Sequence, residues 1–391
     1  MKKKKWVICS GPDWYRPSIT STKQLIRQFR INKYSVLWIN PIAFKSPFVN
    51  STTRSSALNK IKNKLRTHLR FISRDSKNFW VLTPFYLPSF GALADRSNNW
   101  FVRFQVRLCC LLLGIPVKES FLWISGSFTA ESLLDWPFHK KIYQAADLIS
   151  EFRNASPELR SKLEWREKNL CRKVDAIFPA SEKIAEKLAG FGEKREKIHL
   201  LHHGVDYEHF SRPIKPADKI QQIRATGKPV AGYFGSVTDA NDKEVFLALA
   251  ENGFSVVIIG MILGDYSRLK GHIDIHMLGP IPYDELPAYA AGFDVALLNW
   301  RMHDWILNCF PVKTLEYLAM GLPVVSCKIP VLMKHFVDEI SFAETPAEFV
   351  QEAQKRVIGD SMEDRKKRSY RMRDWSWQSR YEYIREVLQI P

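Results

Sequence analysis

Short apolar runs alternate with segments of helical period along this chain. Trp6 to Ser10, Ser35 to Asn40, Phe79 to Leu82, Phe121 to Ile124, Lys141 to Tyr143 and Ala176 to Pro179 have the length and β-branched or aromatic content of buried strands. Between them, Ser21 to Phe29 and Pro157 to Val174 repeat their apolar positions at three- and four-residue steps and predict helices, and a further short strand is expected near Ile198 to Leu201. Strands separated by helices imply parallel pairing through right-handed crossovers, hence a doubly wound sheet. A second series follows a polar stretch holding Pro213, Pro216 and Gly227. Its strands are Val230 to Phe234, Phe254 to Gly260, Ile273 to Leu278, Val295 to Leu298 and Pro323 to Ser326, and its helices Lys243 to Ala250, Asp284 to Ala291 and Lys313 to Ala319. The fold class is therefore α/β, with two doubly wound Rossmann-like domains expected to face an interdomain cleft.

Two stretches depart from this rhythm. From Arg54 to Lys77 there are eight basic residues and one acid, and Leu58, Ile61, Leu65, Leu69 and Ile72 share one helical face while Lys60, Lys62, Lys64, Arg66 and Arg70 occupy the others. Such a basic amphipathic helix fits an anionic membrane surface, or an ordinary helix packed on a core. Trp100 to Leu113 mixes aromatic residues with Arg103 and Arg107 before turning wholly apolar, and reads as a core helix.

The 391 residues carry a net charge of +17, unevenly placed. Residues 1–205 hold 36 Lys and Arg against 16 Asp and Glu, a net of +20, while residues 206–391 hold 22 against 25, a net of −3. An acidic partner for the first half is expected from charge sign, a membrane surface, a phosphate polymer or an acidic substrate, unless the charge serves solubility alone. No apolar run approaches the roughly 18 to 20 residues of a spanning helix. Trp6 to Cys9 is too short for a secretory signal core, so a cytoplasmic protein is expected. The six cysteines lack the spacing of a zinc site or a disulfide framework and read as free buried thiols.

Several chemistries are excluded by missing motifs. GPDW after the first strand has one Gly where a dinucleotide fingerprint needs three, and there is no Walker loop, GxSxG elbow or HExxH pair. Neither a cofactor nor a metal is expected.

GYFGSV at 232–237, HMLGPIPYDELPAYAAGFDVAL at 276–297 and PVKTLEYLAMGLPVVS at 311–326 resemble the donor-binding half of GT-B glycosyltransferases. GPDW, VLWINP at 36–41, TPFYLPSFG at 83–91, FLWIS and IYQAAD are similar to the subgroup containing the teichuronic-acid glycosyltransferases and the glucuronosyltransferase of xanthan assembly. The resemblance implies an acceptor-binding domain over 1–207, a donor-binding domain over 208–365, and a closing segment, 366–391, that crosses back to the first domain. It also implies a nucleotide-diphosphate sugar, UDP-linked, as donor. The acceptor would be a lipid-linked glycan or polysaccharide, reached from the inner face of the cell membrane without nucleic acid as a partner. One departure stands out. Many relatives place a carboxylate eight residues before Glu316, where this chain has Asn308.

The residues that would bind the donor follow from the resemblance and from their chemistry. Lys313, in the first turn of a predicted helix, adds an ammonium to the helix N-terminus and suits a diphosphate, with Thr314 beside it. Glu316, three residues on, can accept from both ribose hydroxyls. An exposed helical ion pair would show the same spacing. Gly235 and Ser236 follow a strand where backbone can approach a phosphate, or simply make a turn, and Leu278 and Gly279 correspond to residues beside the nucleobase. For an inverting transfer Asp147, closing IYQAAD, is the candidate base, although a helix cap would look alike. His139 is the runner-up. Asp13, Trp14, Tyr15 and Arg16, after the first strand, could line an acceptor pocket or form a packed turn. A nucleotide-sugar epimerase of the same fold and a nucleic-acid-binding protein are the alternative readings.

Overall fold

A computed structural model describes residues 5–16, 19–41, 71–85, 92–148, 156–192, 194–303, 306–307 and 309–390. The chain divides into one unit comprising Met1–His202 with Tyr381–Pro391, and a second comprising His203–Arg380. The division falls at 202/203 rather than 207, and of the segment expected to begin at 366 only residues from Tyr381 onward group with the first unit.

The first unit is built on strands β1 (Trp6–Ser10), β2 (Ser35–Ile39), β3 (Ile72–Ser76), β4 (Phe79–Leu82), β5 (Phe121–Ser125), β6 (Lys140–Ala145) and β7 (Ala176–Pro179). Their order across the sheet is β3-β4-β2-β1-β5-β6-β7. All pairings are parallel except β3 with β4. Strands β1, β2 and β5 are buried at every position, as continuous apolar runs covered on both faces must be. The described helices of this unit are α1 (Ser21–Ile31), α2 (Ala92–Leu113), α3 (Pro157–Lys173) and α4 (Glu182–Ala189). Thr20, Ser156 and Ser181 cap α1, α3 and α4 by accepting from amides three residues on, which fixes where each helix begins.

Three expectations change here. Ile72 belongs to the partly exposed edge strand β3, not to a helix: Ile72 pairs with Leu82 and Ser73 with Val81 in an antiparallel ladder. The rest of the basic amphipathic stretch, Leu58 to Arg70, lies outside the described residues, as does Asn308. The strand near Ile198 to Leu201 is only a single bridge, Ile177 with Ile198, continued by hydrogen bonds from His199 N to Ile177 O and Leu201 N to Pro179 O. Finally, α2 is a core helix on one side only. Val102, Val106, Cys109 and Cys110 are buried with the sheet residues Ile8, Leu37 and Leu82, whereas Trp100, Phe104, Leu111 and Leu112 are exposed.

The second unit carries β8 (Val230–Phe234), β9 (Ser255–Ile259), β10 (Ile275–Gly279), β11 (Val295–Leu298), β12 (Val324–Ser326) and β13 (Ile340–Phe342) in the order β10-β9-β8-β11-β12-β13, all parallel. Its described helices are α5 (Tyr207–Ser211), α6 (Asp218–Arg224), α7 (Lys243–Glu251), α8 (Leu286–Ala290), α9 (Val312–Ala319), α10 (Pro330–His335), α11 (Pro346–Gly359) and α12 (Met362–Arg371). A last helix, α13 (Trp377–Leu388), begins in this unit and ends in the first. Both sheets are thus doubly wound. Of the six cysteines, Cys309 is half-buried and the others are buried, all as free thiols. No helix among the described residues is long and apolar enough to cross a membrane.

Candidate functional site

In a doubly wound sheet, neighbouring connections depart in opposite directions at one point, and the crevice outside the carboxyl ends of the strands there is the usual place for a ligand. In the second unit that point lies between β8 and β11. Strand β8 is followed by Gly235, whose φ of +124° favours glycine; a Cβ there would lie 2.5 Å from Lys313 Nζ. Gly260 follows β9 with φ +137°, and a Cβ on it would come within 2.1 Å of Gly235 O. Gly235 N donates to Ile259 O and Gly260 N to Gly279 O, both at 2.8 Å. Three adjacent strand ends are therefore held together by bare backbone, which leaves their crevice free of side chains from these positions.

Helix α9 starts beside them. Its N-cap, Pro311, has no side-chain acceptor to offer the first-turn amides. Lys313 Nζ donates to Tyr233 OH at 2.6 Å, 4.3 Å from the centre of that ring and 5.0 Å from the ring of Trp300. The Tyr233 hydroxyl donates in turn to Ser236 O at 3.1 Å and accepts from Trp300 Nε1 at 3.4 Å. Burial alone would push the Tyr233 phenol up. The Lys313 ammonium, with hydrogen bonds from Lys313, Trp300 and Asn241, outweighs burial and holds the phenol below its ordinary value. One donor of the ammonium is used by Tyr233, and an ammonium has three.

Glu316 is buried one turn further along. Desolvation pushes its carboxyl up to about 7, against the pull of Lys313 and a hydrogen bond from Tyr283; Asp206 adds to the rise. The pair is therefore not the exposed helical pair that spacing alone also allowed: Lys313 is half-buried and Glu316 buried. Together they put a fixed cation and a proton-sensitive acceptor at the sheet's switch point.

The remaining donor-side residues divide. Leu278 and Gly279 end β10, half-buried, with Leu278 packed against the core. Ser236 is exposed, and its carbonyl already serves Tyr233. Thr314 is corrected. It faces the core with no exposed surface, because neighbours on a helix point in different directions, so its hydroxyl does not open onto a ligand.

In the first unit the switch point lies between β1 and β5. Asp13 to Arg16 follow β1 there, and they form a packed turn. Trp14 N donates to Asn40 Oδ1 and Trp14 Nε1 to Asp75 Oδ1, both at 2.9 Å. Its ring lies 4.4 Å from Phe79 and 5.1 Å from Trp38, with Lys23 Nζ 5.5 Å from its centre. The ring is half-buried among these neighbours, so only part of it is open to stack a sugar. Asp13 Oδ1 accepts from Tyr15 N, and Arg16 gives its carbonyl to Lys23 Nζ. Tyr15 is exposed, its hydroxyl 2.6 Å from Ser73 Oγ.

The two candidate bases sit at opposite ends of β6. His139 precedes the strand and packs edge-on against Phe121, whereas Asp147 follows it. Six residues of strand, roughly 20 Å, lie between them. Only Asp147 is on the carboxyl side, where parallel sheets bind ligands. Its carboxyl stands above the ordinary range through desolvation by surrounding protein, even though the residue reaches solvent. Tyr143, four residues earlier, is fully buried and donates to Glu167 Oε1 at 2.5 Å, a structural role.

Tyr233, Trp300, Tyr283 and Gly260 were not legible as site residues. Each sits at or just beyond a strand end, and only the packing of those ends around Lys313 and Glu316 marks them.

Two doubly wound units, the second with a lysine and a buried carboxylate at its switch point, define a sugar-transferring class rather than a hydride-transferring one. Residues 228–357 match the family Glycosyl transferases group 1, so the second unit carries a domain of that family and the chain is a glycosyltransferase. Among its relatives is the teichuronic acid biosynthesis protein of Bacillus subtilis (strain 168) that carries the glycosyltransferase name TuaH. It is 27% identical over 289 residues, 68% of this chain and 69% of that protein. The amylovoran biosynthesis glycosyltransferase AmsK of Erwinia amylovora is 28% identical over 211 residues, 48% of this chain and 49% of its own. Among solved structures, Anabaena HepE in complex with UDP superposes with a TM-score of 0.63 at 16% identity, covering 98% of this chain and 99% of that one; HepE is also solved with UDP-glucose. At such identity the likeness establishes the fold, that of GT-B glycosyltransferases.

Proposed function

We propose that this protein transfers a sugar from a UDP-linked donor to a lipid-linked glycan or polysaccharide acceptor at the cytoplasmic face of a membrane, without a metal. The observation that carries the donor side is the Lys313–Tyr233 contact beside buried Glu316 at the end of β8. In this reading Lys313 and the uncapped first-turn amides of α9 hold the diphosphate, and they supply the positive charge the leaving group needs. Glu316 accepts from the ribose hydroxyls, and Leu278 and Gly279 lie beside the base. The binding of UDP by HepE, and the polysaccharide names carried by TuaH and AmsK, support donor and acceptor class respectively.

The chemistry we assign is a single displacement. The acceptor hydroxyl oxygen attacks the anomeric carbon, the bond from that carbon to the diphosphate oxygen breaks, and the electron pair leaves with UDP. Asp147 takes the hydroxyl proton. A carboxyl raised by desolvation holds that proton better than an ordinary aspartate, as a base must.

Calorimetric titration with UDP tests the donor site. Saturable binding is expected, weakened about tenfold or more by Lys313→Ala and by Glu316→Ala, since each removes a charge-assisted contact. Unchanged affinity in both variants overturns the assignment.

A further inference from the structure

Helix α2 presents an apolar face outward. Trp100, Phe101, Phe104, Leu108, Leu111 and Leu112 fall on one side of it, and all are exposed, Leu111 at 72% and Trp100 at 61%. Trp100 stacks on Phe104 with centroids 5.8 Å apart and planes 10° from parallel. The opposite side, with Val102, Val106, Cys109 and Cys110, is locked into the core of the first unit. The helix therefore has two apolar faces, and turning it about its axis would bury one only by exposing the other. Contiguous exposed apolar surface of this kind marks an interaction site.

Charge identifies the occupant. Arg96, Arg103 and Arg107 are exposed at seven- and four-residue steps, forming a cationic row along one flank of the apolar face, and residues 96–113 contain no acid. We propose that this face of α2 is the surface by which the first unit lies on a bilayer leaflet rich in anionic lipid. The aromatic and leucine side chains enter the headgroup–acyl boundary, and the arginines meet lipid phosphates. Trp and Arg suit that boundary because each joins an apolar body to a polar tip. From Trp100 to Leu112 the helix rises about 18 Å with one core-bound side, which fits a helix lying in the interface and not one crossing it. A second copy fits less well. Pairing the face with itself antiparallel about a two-fold axis would set arginine flanks together, with the acid Asp135 beside Arg103. The proposal rests on the membrane-associated acceptor in the function proposed above, and it is independent of the basic amphipathic stretch, of which Leu58 to Arg70 lie outside the described residues.

Co-sedimentation of the full chain with phosphatidylcholine vesicles containing phosphatidylglycerol, and with phosphatidylcholine alone, tests it. The triple variant Phe104→Ser, Leu111→Ser, Leu112→Ser is expected to lower partition onto the anionic vesicles at least about tenfold. The double variant Arg103→Glu, Arg107→Glu should lower it about tenfold on anionic vesicles only, an effect that raised salt erases. UDP affinity should be unchanged in both, which shows that each variant is folded. Wild-type partition in both variants overturns the proposal. So does a triple variant that loses self-association in sedimentation velocity while still binding vesicles. A wild-type chain that binds vesicles through α2 but fails to bind UDP would sink the donor assignment and leave this surface standing.

Discussion

The two sheets end differently at their switch points. In the second unit, β8 and β9 are followed by glycines and β10 finishes in one, and the nearby ammonium is held by a buried phenol and an indole. In the first, the turn after β1 satisfies itself: Trp14 is covered by Phe79, Trp38 and Lys23, and its polar hydrogens are taken by Asn40 and Asp75. The same architecture thus yields a crevice cleared for a ligand in one case and a half-buried turn bonded to its own neighbours in the other. A switch point supplies the place for a site, and the residues at the strand ends decide whether it is open.

The largest effect expected tests how far that clearance is built into the fold. Gly260→Ala combines an unfavourable φ with a backbone overlap at Gly235 O, and should cost about 4 kcal/mol of stability in urea denaturation. A loss under 1 kcal/mol would show that the strand ends yield easily. Next comes Asp147→Asn. If catalytic work in the first unit lies at the end of β6 and not at the turn after β1, transfer falls about 100-fold while UDP affinity holds. Normal turnover in that variant would return attention to Asp13 and Tyr15.

The smallest effect concerns Glu316. Its folded carboxyl stands near 7 against an ordinary value of 4.5, so it binds a proton more tightly folded than unfolded. Its favourable contribution is complete below about pH 4.5 and is lost as pH rises through about 7. Glu316→Gln should therefore stabilise the unliganded protein at pH 8 by about 1–2 kcal/mol and leave it nearly unchanged at pH 4. Equal melting temperatures for the two proteins at pH 8 would remove the desolvated carboxylate from the picture.

Strands buried on both faces were readable because they are almost wholly apolar: Trp6 to Ser10 and Val230 to Phe234 appear in the structure with the bounds drawn from sequence. Edge strand β3 was not, since ISRDS carries charge where one face meets solvent. The apolar period of α2 was visible, yet period alone does not say which of two apolar faces meets the core. Lys313 and Glu316 were legible through the segment around them. Tyr233 was hidden in plain sight, a strand residue whose hydroxyl matters only because α9 starts beside it.

The overlap between Gly260 and Gly235 also bears on how donor preference can change. At these two positions an added side chain strains the backbone before it can reshape the crevice, so a mutant library there will lose its members to misfolding.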